Sequence, residues 1–274
     1  MSFLTIARLT LHEAMRRRIL TAALIAGAAF LALYGLGVVL MLRENASMTL
    51  IERRLVLNVL TLAGLYAANF LTVMTAVLLP VDTLSGEISS GVIQTLAVRP
   101  IRRRDIVIGK WLGHWIVMCG YFLLVAGGVL AIMATLGKFT PPRVALGLPL
   151  VLLEGTVLLT LSITGGARLS TVTNGMLAFG LFGLAFIGNW VEQIGTMVGN
   201  DAARQVGTAA SLIMPSEALW QLAASLMQPS ILRDLGATPF SPYSVPTPAM
   251  VVWACAYITA TLLLGIRWFG RRAL

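Results

Sequence analysis

Long apolar stretches separated by short polar segments run through the sequence from end to end. A helix rises ~1.5 Å per residue, so a stretch of about 20 apolar residues crosses the roughly 30 Å hydrocarbon core of a bilayer. The fifth stretch is at the short limit for crossing. The pattern predicts six transmembrane helices, over residues 19–42, 55–81, 111–136, 144–165, 174–190 and 249–268.

Composition agrees with a membrane protein. Hydrophobic residues make up 58% of the 274 residues and charged residues only 11%, whereas an ordinary soluble domain carries roughly 25% charged residues. Backbone polar groups in hydrocarbon must be hydrogen-bonded within each span, and these stretches are about twice as long as a barrel strand. We therefore predict an all-α, polytopic membrane protein in which residues 1–274 form a single transmembrane domain.

The formal net charge is +9, which in a soluble protein would suggest binding to nucleic acid. Most Lys and Arg residues, however, lie before the first span, between the second and third spans, and at the end of the sixth. Positive charge is retained on the cytoplasmic side of a membrane. We expect both termini and residues 82–110 to be cytoplasmic and residues 191–248 to be external, with membrane lipid around the spans and no nucleic-acid partner.

Residues 1–18 precede the first span and alternate apolar and polar positions at helical spacing. Arg8, His12 and Arg16 form a polar stripe on one face. Two interpretations carry equal weight: an amphipathic helix that lies in the cytoplasmic interface, or a helical extension of the first span. The apolar face consists of Leu4, Ala7, Leu11 and Ala14.

The external segment 191–248 is rich in proline, but one part of it has a helical pattern. Between Pro215 and Pro229 several apolar residues share one helical face, and Trp220 is available as an interfacial anchor. We expect a short external helix that lies on the outer leaflet or dips into it. The apolar face consists of Leu219, Leu222, Ala223 and Leu226.

Motifs for chemistry are missing. Gly109 and Lys110 are followed by Trp111 and lack the first glycine of GxxxxGK followed by Ser or Thr, the loop that holds nucleotide phosphates. His12 and Glu13 begin an HExxH string, but Arg16 replaces the second zinc ligand. We expect no metal site, no cofactor and no enzymatic activity in this chain.

The segment 82–110 contains a second amphipathic pattern. Ile88, Val92 and Leu96 are spaced i, i+4, i+8, which predicts a short helix that ends before Pro100. Three arginines at residues 102–104 follow. By this pattern alone, the segment is either a connector whose arginines set the topology or a docking surface for a partner.

The same segment resembles the cytoplasmic loop of type-2 ABC exporter permeases, the membrane subunits of many bacterial ABC transporters. That loop has the pattern E-x-E-x-G-T-L-E-x-L-L-x-x-P-x-x-R, then G-K. Ser89, Val92 and Gln94 depart from it. The matching residues are Glu87, Gly91, Leu96, Pro100, Arg103, Gly109 and Lys110.

The resemblance implies that this segment is a coupling helix seated in a groove of a separate ABC ATPase subunit, where ATP is bound. The chain would then be the permease of an exporter in the bacterial plasma (inner) membrane, paired with a second copy in a homodimer or with a homologue. The residues that would couple to the ATPase are Glu87, Ile88, Gly91, Val92, Leu96, Pro100, Arg103 and Lys110.

Two other functional classes predict sequence features that differ from those of a permease. A secondary transporter or channel would usually show inverted repeats or paired intramembrane charges, and neither is apparent in the sequence. An intramembrane enzyme needs a nucleophile with a base, or a metal site, at one depth. Its only candidates, His114 and Glu154, fall near opposite halves of the membrane.

Glu154 is the one acidic residue near the middle of a predicted span. An ionised carboxylate at that depth costs about 2.5 kcal/mol or more, so we expect it to face the interior of the bundle. Asn69 in the second span is a possible hydrogen-bond partner. A role in the translocation path and a buried structural hydrogen bond are equally favoured by the sequence.

Overall fold

The computed structural model describes residues 3–44, 48–89, 102–229 and 244–271, and all regular structure in these ranges is helical. We number the helices α1 to α10 in chain order. They are α1 (Phe3–Met15), α2 (Arg18–Glu44), α3 (Leu50–Leu78), α4 (Ser85–Ser89), α5 (Arg103–Ile132), α6 (Val144–Gly166), α7 (Thr171–Val198), α8 (Asp201–Ile213), α9 (Ser216–Met227) and α10 (Ala249–Arg271).

Six of these helices, α2, α3, α5, α6, α7 and α10, are long and apolar enough to cross a membrane. The prediction of an all-helical protein with six spans is therefore confirmed. A π-helical turn, Met133–Gly137, extends α5 at its far end. The fifth span, predicted at the short limit, is a helix of 28 residues and is long enough to cross with several residues to spare.

The core of the bundle is built from α3, α5 and α6. In their most apolar stretches, 56% of the residues of α3 and α6 and 44% of those of α5 are buried, against 11% in α2 and α10. Hydroxyl groups join the core helices, because Trp111 and Trp115 on α5 donate to Thr160 and Thr156 on α6 at 2.8 and 3.1 Å. The peripheral helices expose their apolar side chains, as spans do in lipid.

Local sequence signals account for several helix ends. Ser170 caps α7 by accepting a hydrogen bond from the Thr173 backbone N–H at 3.3 Å. Gly199 ends α7 in the left-handed conformation, at φ +75°, where glycine has no steric cost. Asn200 then caps α8 by accepting from the Ala203 N–H at 3.1 Å.

The sequence analysis did not predict α8, which folds back along α7. Small residues allow this close packing: a Cβ added to Gly195 would lie 2.6 Å from the Cβ of Ala203, and one added to Gly188 would overlap the Cβ of Ala210. We call α8 and α9 together the inter-span helices. Because α8 runs antiparallel to α7, the turn between α8 and α9 lies among the helices of the bundle and not at the end where α7 terminates.

The second of the inter-span helices, α9, occupies the expected segment but not the expected environment. It packs against α6 and is buried along nearly its whole length. Trp220 is only 4% exposed, with its ring 5.0 Å from that of Tyr66 on α3. Its interpretation as an interfacial anchor is therefore wrong, because α9 is enclosed by other helices instead of lying on the leaflet surface.

Candidate functional site

Only some of the predicted coupling residues lie in the described part of the structure. Gly91, Val92, Leu96 and Pro100 lie outside the described residues, and so does the side chain of Ile88. Glu87 lies on α4, whereas Arg103 and Lys110 lie on the first turns of α5. The helix α5 thus begins well before residue 111, and the last part of the predicted loop is helical.

Lys110 and Glu87 form an ion pair that joins the two ends of this loop. The Lys110 side chain is 5% exposed and that of Glu87 is 18% exposed. A buried cation needs its partner, since an uncompensated charge in a protein interior costs several kcal/mol. The pair therefore holds the start of the loop against α5.

A second ion pair connects the N-terminal segment to the end of α3. Arg17, in the turn between α1 and α2, donates to the carboxylates of both Glu13 and Asp82. Partial burial opposes ionisation of Glu13, but the hydrogen bond and charge of Arg17 prevail and lower the pKa of its carboxyl. Burial likewise opposes the charge of Arg17, but the two carboxylates raise its pKa above the ordinary value.

Neutral hydrogen bonds join the two ion pairs into one region. We call this region the loop-base network, and its members are Glu13, Arg17, Asp82, Thr83, Ser85, Glu87, Lys110, His114 and Thr171. The His114 ring lies 3.2 Å from the Thr83 hydroxyl and 2.9 Å from the Lys110 carbonyl. The hydroxyls of Ser85 and Thr171 lie 2.8 Å apart. The network therefore links α1, α3, α4, α5 and α7 at one end of the bundle.

Two glycines of α5 give α1 its place beside this network. A Cβ on Gly109 would lie 2.7 Å from the Ile6 Cβ, and one on Gly113 would lie 2.7 Å from the Thr10 Cβ. The helix α1 is thus a separate helix docked on α5 and not a continuous extension of the first span. Gly109 is also one of the residues that match the permease loop pattern, and here it leaves room for a neighbouring helix.

Arg103, one of the residues expected to couple to the ATPase, contacts another helix of the same chain. Its Nη1 donates to the carbonyl oxygen of Gly270 at the end of α10, at 3.1 Å. This contact brings the first turn of α5 and the last turn of α10 together at the end of the bundle that carries the loop-base network.

The second candidate site lies in the core, around Glu154. Glu154 is fully buried, and its Oε2 accepts a hydrogen bond from Asn69 Nδ2 at 3.0 Å. Glu217 on α9 is 2% exposed and lies close enough to Glu154 to interact with it electrostatically. We call Glu154 and Glu217 the carboxylate pair.

The carboxylate pair has no cationic partner among the described residues. Oε1 of Glu154, Oε1 of Glu217 and Oδ1 of Asn69 are buried without a hydrogen-bond partner in the described part of the chain. Two neighbouring carboxylates in a site of low dielectric constant repel each other when both are ionised. The arrangement therefore favours binding of a proton or of a cationic group.

The sequence indicates Glu154 and Asn69 as site residues but places Glu217 in the outer loop. The segment itself gives no signal for burial, because Glu217, Gln221 and Ser225 are spaced i, i+4, i+8, as in the polar stripe of a surface helix. In the structure all three residues are buried. Among the described residues no group of three or more His, Cys, Asp or Glu could hold a metal ion.

Comparison with protein families gives one match that extends over nearly the whole chain. The model described as ABC-2 family transporter protein matches residues 4–274. The match includes all six spans, the loop-base network and the carboxylate pair. Comparison with curated proteins gives no match.

Proposed function

The chain belongs to the ABC-2 transporter family and is a permease subunit of an ABC transporter, and we propose that it exports its substrate, driven by a separate ATPase subunit. The proposed docking surface is the loop between α3 and α5. Its members are those predicted from the sequence: Glu87, Ile88, Gly91, Val92, Leu96, Pro100, Arg103 and Lys110.

The loop-base network is the observation that best supports coupling through this loop. The ion pair of Lys110 with Glu87 joins the loop to α5, and that of Arg17 with Asp82 joins the end of α3 to α1. A force applied to the loop would therefore act on α1, α3 and α5 together. Two of these helices, α3 and α5, belong to the core, so movement of a docked ATPase would displace helices in the middle of the bundle.

ATP is proposed to bind on the partner, because the sequence contains no GxxxxGK followed by Ser or Thr. The permease itself would bind no cofactor. Its proposed location is the inner membrane of a bacterium, with the loop facing the cytoplasm and its ATPase.

A second copy of the chain is the proposed partner within the membrane. In this proposal the carboxylate pair and Asn69, which are enclosed within each bundle, become part of the translocation path when the core helices separate during transport. Support comes from the cost of burying carboxylates at this depth, since intramembrane acidic residues usually serve a pathway for ions or substrates. The stoichiometry can be measured by native mass spectrometry of the purified complex.

Truncation of the apolar stripe tests the docking proposal. The double variant Val92→Ala and Leu96→Ala should lose its ATPase during purification, because each fully buried side chain of this size contributes roughly 1.5 to 3 kcal/mol. The matched control is Leu50→Ala with Ile51→Ala, two residues that are 80% and 73% exposed at the opposite end of α3.

Recovery of the ATPase and its ATP hydrolysis rate in the complex are the measurements. The control variant should retain both. Full recovery and an unchanged rate in the Val92 and Leu96 variant would mean that the loop is a connector. Transport that continues when the ATPase cannot hydrolyse ATP would instead favour a secondary transporter or channel.

A further inference from the structure

A basic groove lies between the ends of α6 and α10, outside both candidate sites. It is open on one side and has a volume of about 680 Å³. Among the described residues that line it, three of six are arginines, one is a tryptophan and none is acidic. The lining residues are Ala167, Arg168, Leu264, Arg267, Trp268 and Arg271.

Contacts among α5, α6 and α10 shape the groove. Gly265 lets α10 approach α6, since a Cβ there would lie 2.8 Å from Thr164 Oγ1, which itself donates to the Thr261 carbonyl at 3.0 Å. Phe269 is fully buried and fixes the rotation of the last turns of α10. The hydrogen bond from Arg103 to Gly270 holds the end of this helix.

The groove residues of α10 form one stripe along the helix. Leu264, Arg267, Trp268 and Arg271 are spaced i, i+3, i+4, i+7, which places them on the same face. Leu264 lies about 10 Å deeper along the helix axis than Arg271, at ~1.5 Å per residue. The stripe therefore changes from apolar to cationic toward the helix end, with the tryptophan at the level where aromatic residues meet lipid headgroups.

The arginines are not neutralised within the described part of the chain. Arg168, Arg267 and Arg271 make no ion pair with any described acidic residue. Arg168 lies over the Trp268 ring, with its Cζ 5.5 Å from the ring centroid. This stacking directs one guanidinium while leaving its N–H groups free to bind an anion.

We propose that this groove binds the headgroup of an anionic phospholipid. Three guanidinium groups match a phosphodiester by charge and by their bidentate hydrogen-bonding geometry. The apolar surface at Leu264 continues into the exposed face of α10, where an acyl chain would lie. A soluble anion would use the arginines but would leave this apolar part of the stripe uncovered.

Thermal unfolding of the purified permease in detergent tests the proposal. Short-chain phosphatidylglycerol should raise Tm in a saturable manner, whereas phosphatidylcholine and inorganic phosphate at equal concentrations should not. The variant with Arg168→Gln, Arg267→Gln and Arg271→Gln should need roughly 100-fold more phosphatidylglycerol for the same effect. If this variant does not fold, Arg267→Gln alone should need about fivefold more.

The matched control removes the same charge from other helix ends, as Arg53→Gln, Arg54→Gln and Arg204→Gln, and should respond to phosphatidylglycerol as the wild type does. An equal lipid response in the two triple variants would overturn the proposal. An equal effect of inorganic phosphate on the wild type would also overturn it, by indicating a soluble-anion site. Loss of the ATPase with an unchanged lipid response would assign the groove to the interface between subunits.

Discussion

Glu154 combines full burial with a single hydrogen bond from Asn69. The substitution Glu154→Gln preserves the size of the side chain and can keep that hydrogen bond, so the protein should fold and assemble. Glu154→Lys removes the acceptor for Asn69 and places a longer, cationic side chain in the same buried position, where a charge costs about 2.5 kcal/mol or more unless Glu217 ionises and pairs with it. It should reduce the yield of monodisperse protein and lower Tm.

Size-exclusion chromatography and thermal unfolding in detergent provide the measurement for both Glu154 variants. Glu44→Lys is the matched control, since Glu44 is an exposed residue at the end of α2, and it should behave as the wild type does. A Glu154→Lys protein with wild-type yield and Tm would show that this side chain is not enclosed by the bundle. If that charge reversal is accommodated by ionised Glu217, Tm of the Lys variant should rise again with pH.

The sequence predicted one half of the core site and not the other. Asn69 and Glu154 interrupt otherwise apolar spans, so their depth could be derived from their position in each span. Glu217 follows Pro215 in a segment between spans, where a charge is ordinarily exposed to water. Its burial depends on α9 packing against α6 within the bundle, which is a tertiary arrangement that the pattern of a single segment does not encode.

At the scale of the elements, the packing of α1 on α5 depends on glycine. Gly109→Ala with Gly113→Ala would add two methyl groups within 2.7 Å of Ile6 and Thr10, and neither neighbouring Cβ can move without moving α1. Overpacking of this kind costs typically 1–3 kcal/mol. The variant should have a lower Tm and faster tryptic cleavage at Arg8, the arginine of α1.

Gly120 provides the control on the same helix, because nothing lies within 4 Å of a Cβ added there. Gly120→Ala should leave Tm unchanged or raise it, since alanine favours a helix over glycine by up to about 1 kcal/mol. The two variants should therefore shift Tm in opposite directions. The same shift in both would mean that helix propensity, and not the contact with α1, determines the effect.

Element boundaries followed from the sequence where apolar length was the only determinant. Spans such as α2 and α6 lie within a few residues of their predicted ranges. The helix α8 was missed because its contact face uses Gly207 and Ala210, which carry little hydrophobic signal. The Gly199 and Asn200 pair is a helix stop followed by a helix cap, and it was the local indication that a second helix begins there.

At the scale of the molecule, one end of the bundle gathers most of the functional candidates. The loop-base network connects the ends of α1, α3 and α5 there, and Arg103 brings the end of α10 to the same place. The basic groove opens beside that contact. An ATPase docked on the loop and a lipid headgroup in the groove would therefore both act on the first turn of α5.

The charge distribution predicts the orientation of the whole molecule in the membrane, with the loop-base end facing the cytoplasm. Arg104→Cys marks this end and Asp201→Cys the other, at side chains that are 58% and 84% exposed. Both are placed in a background that lacks Cys119 and Cys255. An impermeant thiol reagent should label the Asp201 variant on intact cells and the Arg104 variant only after permeabilisation.

The contacts at the loop-base end extend what a label at residue 104 reports to several helices. Because α1, α4, α5 and α10 are joined at one end, a label at residue 104 reports the side of both the loop and the last turn of α10. The cysteine-free background should show no labelling in either condition and serves as the control. Labelling of the Arg104 variant on intact cells would place the loop outside, where no ATP-hydrolysing subunit is available, and the coupling proposal would then fail at the level of topology.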